Sequence, residues 1–367
     1  MTMSQQPGKA FPDLYREQIS HKINRTIQQF SRFGVSDIEV FESPPAHFRM
    51  RAEFKIWHQE GVARYAMYRP GEYKQPILIN EFSIGSGRIN ELMPGVLSAI
   101  NQEPAFRQKL FQVEFLTTLT GDALITLIYH KSLDDQWAAS AAQLEKLLGA
   151  KIIGRSRKQK IVVSMDYVDE EFSVNGENYC YRQVETGFTQ PNARVCEKML
   201  TWAQAVSSGI GNDMLELYCG NGNFTLPLSK NFEKVLATEV SKTSVNSALY
   251  NIAANRCTNI AVARMSSEEF TQALNGEREF RRLQDIDLQS YRFSTMFVDP
   301  PRAGLDNETV KLAARFDNII YISCNPDTLY NNLEMLSNTH RIERFALFDQ
   351  FPYTDHRECG VLLRKSE

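Results

Sequence analysis

Long hydrophobic runs are missing from this 367-residue chain. No stretch approaches the roughly 18 apolar residues that a membrane-spanning helix needs, and the basic-then-apolar pattern of a secretion signal is absent. The expected address is a reducing cytoplasm, with no membrane partner. Cysteine is scattered: Cys180, Cys196, Cys219, Cys257, Cys324 and Cys359 include no C-x-x-C pair, so neither a zinc site nor an iron-sulfur motif is expected. A surplus of positive charge is missing too. The 41 Lys and Arg face 44 Asp and Glu for a net charge of −3, and the first half of the chain is balanced in sign. Bulk charge therefore supplies no footprint for nucleic acid, and basic groups serving a polyanion must be arranged locally. What is present is ordinary for a soluble globular protein, 43% hydrophobic and 23% charged, with enough length for two or three domains.

Leu14, Ile19, Ile23, Ile27 and Phe30 recur near helical spacing and stop at Gly34, which predicts an N-terminal helix able to pack on either domain. From Pro44 the texture changes to short strand-like runs at 50–57, 62–68 and 77–82. A helix is expected over 90–100 despite Pro94, and a hairpin over 113–120 and 123–130 around Gly121-Asp122. A further helix over 136–148 precedes the run from Lys151 to Lys160, which holds five basic residues and no acid. That run reads equally as a solvated strand or as a phosphate contact. Arg49, Arg51 and Glu53 alternate and share one side of a strand.

After Tyr181 strands alternate with helices, the pattern of a parallel sheet covered on both faces. The runs at 214–219, 235–239, 260–264, 295–298 and 319–323 are the expected strands, and ligands bind such sheets at the carboxyl ends of the strands. Tyr218-Cys219-Gly220-Asn221-Gly222-Asn223 follows the first strand, and Glu239 ends the second. A glycine loop with an acid about 20 residues on is the pattern that binds a nucleoside cofactor through its ribose hydroxyls. Asp299-Pro300-Pro301-Arg302 ends the fourth strand, where two prolines remove two amide donors and fix an extended backbone. Cys324 ends the fifth at a strand-to-helix corner, with Asn325 as cap and Pro326 at the first helical position. The positive end of that helix dipole is expected to favour its thiolate. Near the C-terminus, Phe351-Pro352-Tyr353-Thr354-Asp355-His356-Arg357-Glu358 leads into a last strand.

Together these residues resemble the S-adenosylmethionine-dependent RNA uracil-C5 methyltransferases, and most closely the branch that modifies the T-loop of tRNA. The likeness runs over essentially the whole chain and includes Arg49-Met50-Arg51-Ala52-Glu53-Phe54, Phe188-Thr189-Gln190-Pro191-Asn192 and Leu347-Phe348-Asp349-Gln350-Phe351. Relatives acting on ribosomal RNA carry an N-terminal β-barrel and an iron-sulfur cysteine cluster, and this chain has neither pattern. Asp327 where many relatives place Glu, and Ala303 where Ser is usual, are mild departures.

The resemblance implies a Rossmann-like α/β methyltransferase domain at 181–367, a mixed α+β RNA-recognition domain at 44–180 and an N-terminal helical extension at 1–43. It implies that Cys324 adds to C6 of the uracil of U54 and that Glu358 removes the C5 proton. It also implies that Gln190, Tyr218, Asn223, Glu239 and Asp299 bind S-adenosyl-L-methionine. The implied partners are the tRNA T-arm and the T-like loop of tmRNA, with no metal. Arg49 and Arg51 would then contact RNA, and Phe48, Phe106, Phe111 and Tyr129 are the aromatic candidates for holding bases. Two other readings stay open. An amino-group methyltransferase would need no cysteine, and an RNA-binding folding factor would keep the cofactor fold without turnover.

Overall fold

A run of β-branched residues buried on both faces, Asn318–Ser323, marks the centre of the larger sheet, and all six of its residues are buried. The computed structural model describes residues 7–69, 71–72 and 74–366. Its contacts divide the chain into two units. The first holds the described residues up to Tyr15 together with 44–171 and 183–193, and the second holds 16–43, 172–182 and the chain from Arg194 onward.

In the second unit the described strands lie in the order Glu39–Phe41, His340–Phe348, Glu358–Lys365, Asn318–Ser323, Phe293–Val298, Asp213–Leu217, Val235–Thr238 and Ile260–Ala263. The last five are mutually parallel, and Glu358–Lys365 is inserted antiparallel between Asn318–Ser323 and His340–Phe348. Strand order reverses between Asp213–Leu217 and Phe293–Val298. The carboxyl ends there open the crevice in which α/β sheets bind ligands.

Two pieces of this unit come from the N-terminal segment. Glu39–Phe41 extends the sheet edge in parallel with His340–Phe348, a strand that the sequence pattern did not suggest. The helix Tyr15–Phe30, all but its first residue, groups with the same unit. Phe30 anchors it, fully buried, with ring centroids 4.9 Å from Phe345 and 6.1 Å from Tyr330.

In the first unit the sheet order is Ile77–Leu78, Val62–Met67, Arg51–Gln59, Leu110–Thr117, Ala123–Tyr129, Lys151–Ser156 and Gln159–Val162. Pairing is antiparallel except between Ala123–Tyr129 and Lys151–Ser156, which the helix Asp135–Leu148 connects as a crossover. The hairpin expected around Gly121-Asp122 is present as Leu110–Thr117 with Ala123–Tyr129. Helix Gly87–Gln102 accommodates Pro94 and is capped by Ser86, whose hydroxyl accepts from the Ile89 amide. This helix and Asp135–Leu148 bury Val96, Ile100 and Trp137 in one core with Phe54, Tyr65 and Phe115. Trp137 Nε1 donates to the Tyr129 hydroxyl at 2.9 Å, so the buried indole has a partner. The hairpin Tyr167–Val174 and Glu177–Val184 has its tip, 172–182, in the second unit and its ends in the first.

Candidate active site at the carboxyl ends of the parallel strands

Sheet register decides which side chains meet. Strand Glu358–Lys365 pairs with Asn318–Ser323 from Asn318↔Arg364 to Ser323↔Cys359. The pairing ends there, so Cys324, one residue past its strand, and Glu358, the first residue of the other, come to the same end of the two strands. Leu217 aligns with Val298 and with Thr238 in the parallel sheet, so Tyr218, Glu239 and Asp299 each stand one residue beyond their strands on the same rim. Five of the residues named from sequence are thus gathered at one edge by backbone pairing.

Cys324 is half-buried at the corner predicted for it. Asn325 caps the helix Pro326–Leu336, accepting from the Asp327 amide at 3.2 Å, and its Nδ2 donates to the Arg302 carbonyl at 2.9 Å. Thr328 Oγ1 donates to the same carbonyl at 3.3 Å. The Asp-Pro-Pro-Arg turn is therefore tied to the cysteine corner through a backbone oxygen. The Arg302 guanidinium reaches His356 Nδ1 at 2.7 Å, and burial together with Arg302 lowers the His356 pKa, so a neutral imidazole accepts this bond.

The thiol is not the ready thiolate that the helix dipole suggested. Burial, then the charges of Glu358 and Asp299, push it up to about 11, with Arg302 opposing. Desolvation and two carboxylates outweigh a dipole worth roughly 0.3–1 kcal/mol at an exposed terminus. Glu358 is buried, and burial and then the charge of Asp299 hold its carboxyl well above the usual range, again opposed by Arg302. Burial also raises Asp299. The two carboxyls therefore titrate as a pair, each raising the proton affinity of the site.

The glycine loop fits an adenosyl cofactor. Tyr218, Gly220 and Gly222 all take positive φ, at 63°, 57° and 83°, and this left-handed curl is closed by the Gly222 amide, which donates to the Cys219 carbonyl at 2.9 Å. A Cβ at Gly220 would meet nothing within 4 Å, so glycine is needed there for conformation and not for space. Glu239 fastens the loop by accepting from the Gly220 amide at 3.1 Å and the Ser241 amide at 2.7 Å, which leaves lone pairs on both oxygens for a diol. Asn223 lies under the loop, its Nδ2 3.4 Å from Cys196 Sγ. Tyr218 donates its hydroxyl to Ser267 at 2.9 Å.

Gln190 belongs to the segment 183–193 of the first unit. The lead-in to strand Arg51–Gln59 grips that segment: the Met50 amide donates to the Pro191 carbonyl at 2.8 Å, and Arg49 bridges to Asn192. Arg51 donates to the carbonyls of Glu185 and Gly187 at 3.1 and 3.0 Å. Three members of the basic run form ion pairs, Lys151 with Asp122, Arg155 with Glu185 and Lys160 with Asp166, while Arg157 and Lys158 are exposed. Of the four aromatic candidates, Phe48, Phe106 and Tyr129 are buried, whereas Phe111 keeps 37% of its surface exposed. Phe111 has Lys55 Nζ 3.9 Å from its ring centroid and His130 at 4.5 Å, beside a cleft of about 640 Å³ that Arg107 and Lys109 also line.

The model of the family described as tRNA (Uracil-5-)-methyltransferase matches residues 14–366. The chain belongs to that family. It is 62% identical over 99% of its length to the whole of the tRNA/tmRNA (uracil-C(5))-methyltransferase of Saccharophagus degradans. It is 64% identical over 98% of its length to the whole of the protein so named from Teredinibacter turnerae. Among solved structures, the tRNA (uracil-54, C5)-methyltransferase of Pyrococcus abyssi, in complex with S-adenosyl-L-homocysteine, shares the fold. Its TM-score is 0.72 at 19% identity, over 95% of this chain and 83% of that one.

In this uracil-5-methyltransferase family member, two rim residues escaped the sequence reading. Glu216 is the penultimate residue of the strand Asp213–Leu217, just before the glycine loop. It is buried with Oε2 lacking a partner among the described residues, and burial pushes its carboxyl up to about 8. The signal was available as an acid inside an apolar strand. Arg302 was quoted only as part of a motif, and its service as the cation beside both Cys324 and Glu358 needed the fold.

Proposed function

We propose that this chain transfers a methyl group from S-adenosyl-L-methionine to C5 of the T-loop uridine, U54, of tRNA, and acts on the T-like loop of tmRNA, in the cytoplasm. Family membership supports the reaction class. The register that ends at Ser323↔Cys359 brings Cys324 and Glu358 to the same end of two paired strands, close enough for the Glu358 charge to raise the thiol, and this observation supports the mechanism.

Carbon 5 of uracil is a weak nucleophile. Bonding of the Cys324 sulfur to C6, with the thiol proton passing to water, places an electron pair on C5 through the enolate. Arg302 favours the anionic sulfur, offsetting part of the cost of a thiol raised to about 11. The bound cofactor supplies an electrophilic methyl group. Tyr218, Asn223, Glu239 and Asp299 would hold it, Glu239 through the ribose hydroxyls. Once C5 is methylated, Glu358 takes its remaining hydrogen as a proton, the C5–H electron pair reforms the ring double bond and the C6–S bond breaks. The raised affinity of Glu358 for protons suits it to that removal. The uridine is extruded from its stack to reach the rim, and Phe111, with Lys55 and His130, offers a plane and positive charge for the displaced single strand.

Incubating the protein with unmodified tRNA and methyl-labelled S-adenosylmethionine, then mapping the labelled nucleoside, tests the proposal. Label in 5-methyluridine at position 54 is the expected result. Label on a base amino group, or binding without incorporation, would select one of the two other readings.

A further inference from the structure

The helix Tyr15–Phe30 carries a polar stripe where a packed face is ordinarily apolar. Gln18, Lys22, Thr26 and Gln29 recur at intervals of four, four and three and share one side of the helix. The first three are buried. Their partners lie in the segment that runs into Glu358. Gln18 Nε2 and Lys22 Nζ donate to the two carboxylate oxygens of Asp349 at 2.8 and 2.7 Å, and Lys22 donates again to the Phe351 carbonyl at 2.8 Å. Arg357, next to Glu358, donates to Thr26 Oγ1 at 3.2 Å and to Gln29 Oε1 at 2.6 Å.

This segment needs outside support. Residues 349–357 form no helix or strand, and Tyr353 takes a φ of 64°. A Lys–Asp pair whose side chains are 4% and 0% exposed is also an expensive way to pack a helix. Apolar residues of similar size would serve stability as well or better. What the polar stripe adds is direction, because each hydrogen bond fixes a distance and an angle.

We propose that Gln18, Lys22, Thr26 and Gln29 are positioning residues for proton removal at C5: through Asp349 and Arg357 they fix the segment that presents Glu358. The inference rests on the reading of Glu358 as the base.

Three full-length variants test it. Lys22→Met/Asp349→Leu replaces the ion pair by an apolar pair, Arg357→Met removes the link beside Glu358, and Thr26→Val removes one hydroxyl without changing shape. Steady-state turnover on tRNA is compared with the rate of covalent capture on tRNA carrying 5-fluorouridine, where no C5 proton is available to remove and the methylated adduct persists. For Lys22→Met/Asp349→Leu and Arg357→Met the expected result is a kcat lower by about ten- to a hundredfold, the scale of small misplacements at a reacting centre. KM for tRNA and the rate of adduct formation are expected to stay at their unmodified levels. Thr26→Val is expected to show the same split more weakly, and Thr26→Ser to restore turnover. Unchanged kcat in all three, or adduct formation falling in parallel with kcat, would overturn the proposal. Glu358→Gln is run beside them. If it blocks turnover but still forms the adduct, the base reading stands and the variants judge the stripe alone. If it turns over freely, the base reading falls first and the proposal with it.

Discussion

In the first unit, Lys151, Arg155 and Lys160 each face a carboxylate of that unit, whereas at the rim of the second unit Asp299, Glu358 and Cys324 crowd together with Arg302 opposing them. The contrast shows in proton affinity. Glu185, beside Arg155 and Lys160, is held below the usual carboxylate range although burial pulls the other way. Asp299 and Glu358 are held above it by burial. A run of five basic residues stands out in the sequence, yet three of its charges are spent on ion pairs within the unit. The chemistry belongs to acids that read as unremarkable one by one. Charges left unbalanced in a buried place, and not charges that are numerous, mark the working site.

Removing Cys324 should break the contrast most completely. Cys324→Ala is expected to lower methyl incorporation by about 10⁴-fold or more, since the nucleophile has no substitute. Retained activity would select the amino-group reading. A smaller effect is expected when the opposing cation goes. Ionisation of a thiol raised to about 11 lies far above neutral pH, so alkylation of Cys324 by iodoacetamide should still climb between about pH 9 and 10.5, where an ordinary thiol levels off. Arg302→Gln should slow that alkylation at fixed pH by roughly tenfold, the equivalent of one further pKa unit upward. A rate that has levelled by about pH 9 in either protein would contradict the assignment of causes. The smallest effect belongs to the first unit. Lys160 is an accessible member of its ion pairs, so Lys160→Gln should cost about 0–1 kcal/mol in denaturant unfolding and leave kcat within about twofold. A large loss of kcat would return the basic run to the list of functional groups.

The sheet of the second unit was legible because its strands are short apolar runs rich in β-branched residues, each closed by a residue with a distinct backbone demand: Gly220, Pro300 and Pro326. The corner at Cys324 was readable for the same reason, down to the Asn325 cap. Pairing was not readable. Nothing local in Glu358-Cys359-Gly360-Val361 says that this strand inserts beside Asn318–Ser323, and that insertion brings Glu358 to the end of the strand that Cys324 follows. The same limit hid the partner of Arg155, which is 30 residues away, and that of Lys22, 327 residues away. The sign of the Cys324 shift was misjudged because a helix terminus is visible in sequence while desolvation is a property of the folded site. Among the aromatics, periodicity could not separate the exposed Phe111 from the buried Phe106 and Tyr129, since both kinds occur in strand-rich stretches.

The covalent bond itself is the most direct test. The protein is incubated with S-adenosylmethionine and tRNA carrying 5-fluorouridine at position 54, digested, and the peptide bonded to the nucleotide is sequenced by mass. The account predicts one modified peptide, with the methylated fluoropyrimidine on Cys324. Attachment at any of the other five cysteines, or complete methylation chemistry with no protein-bound nucleotide, would contradict it.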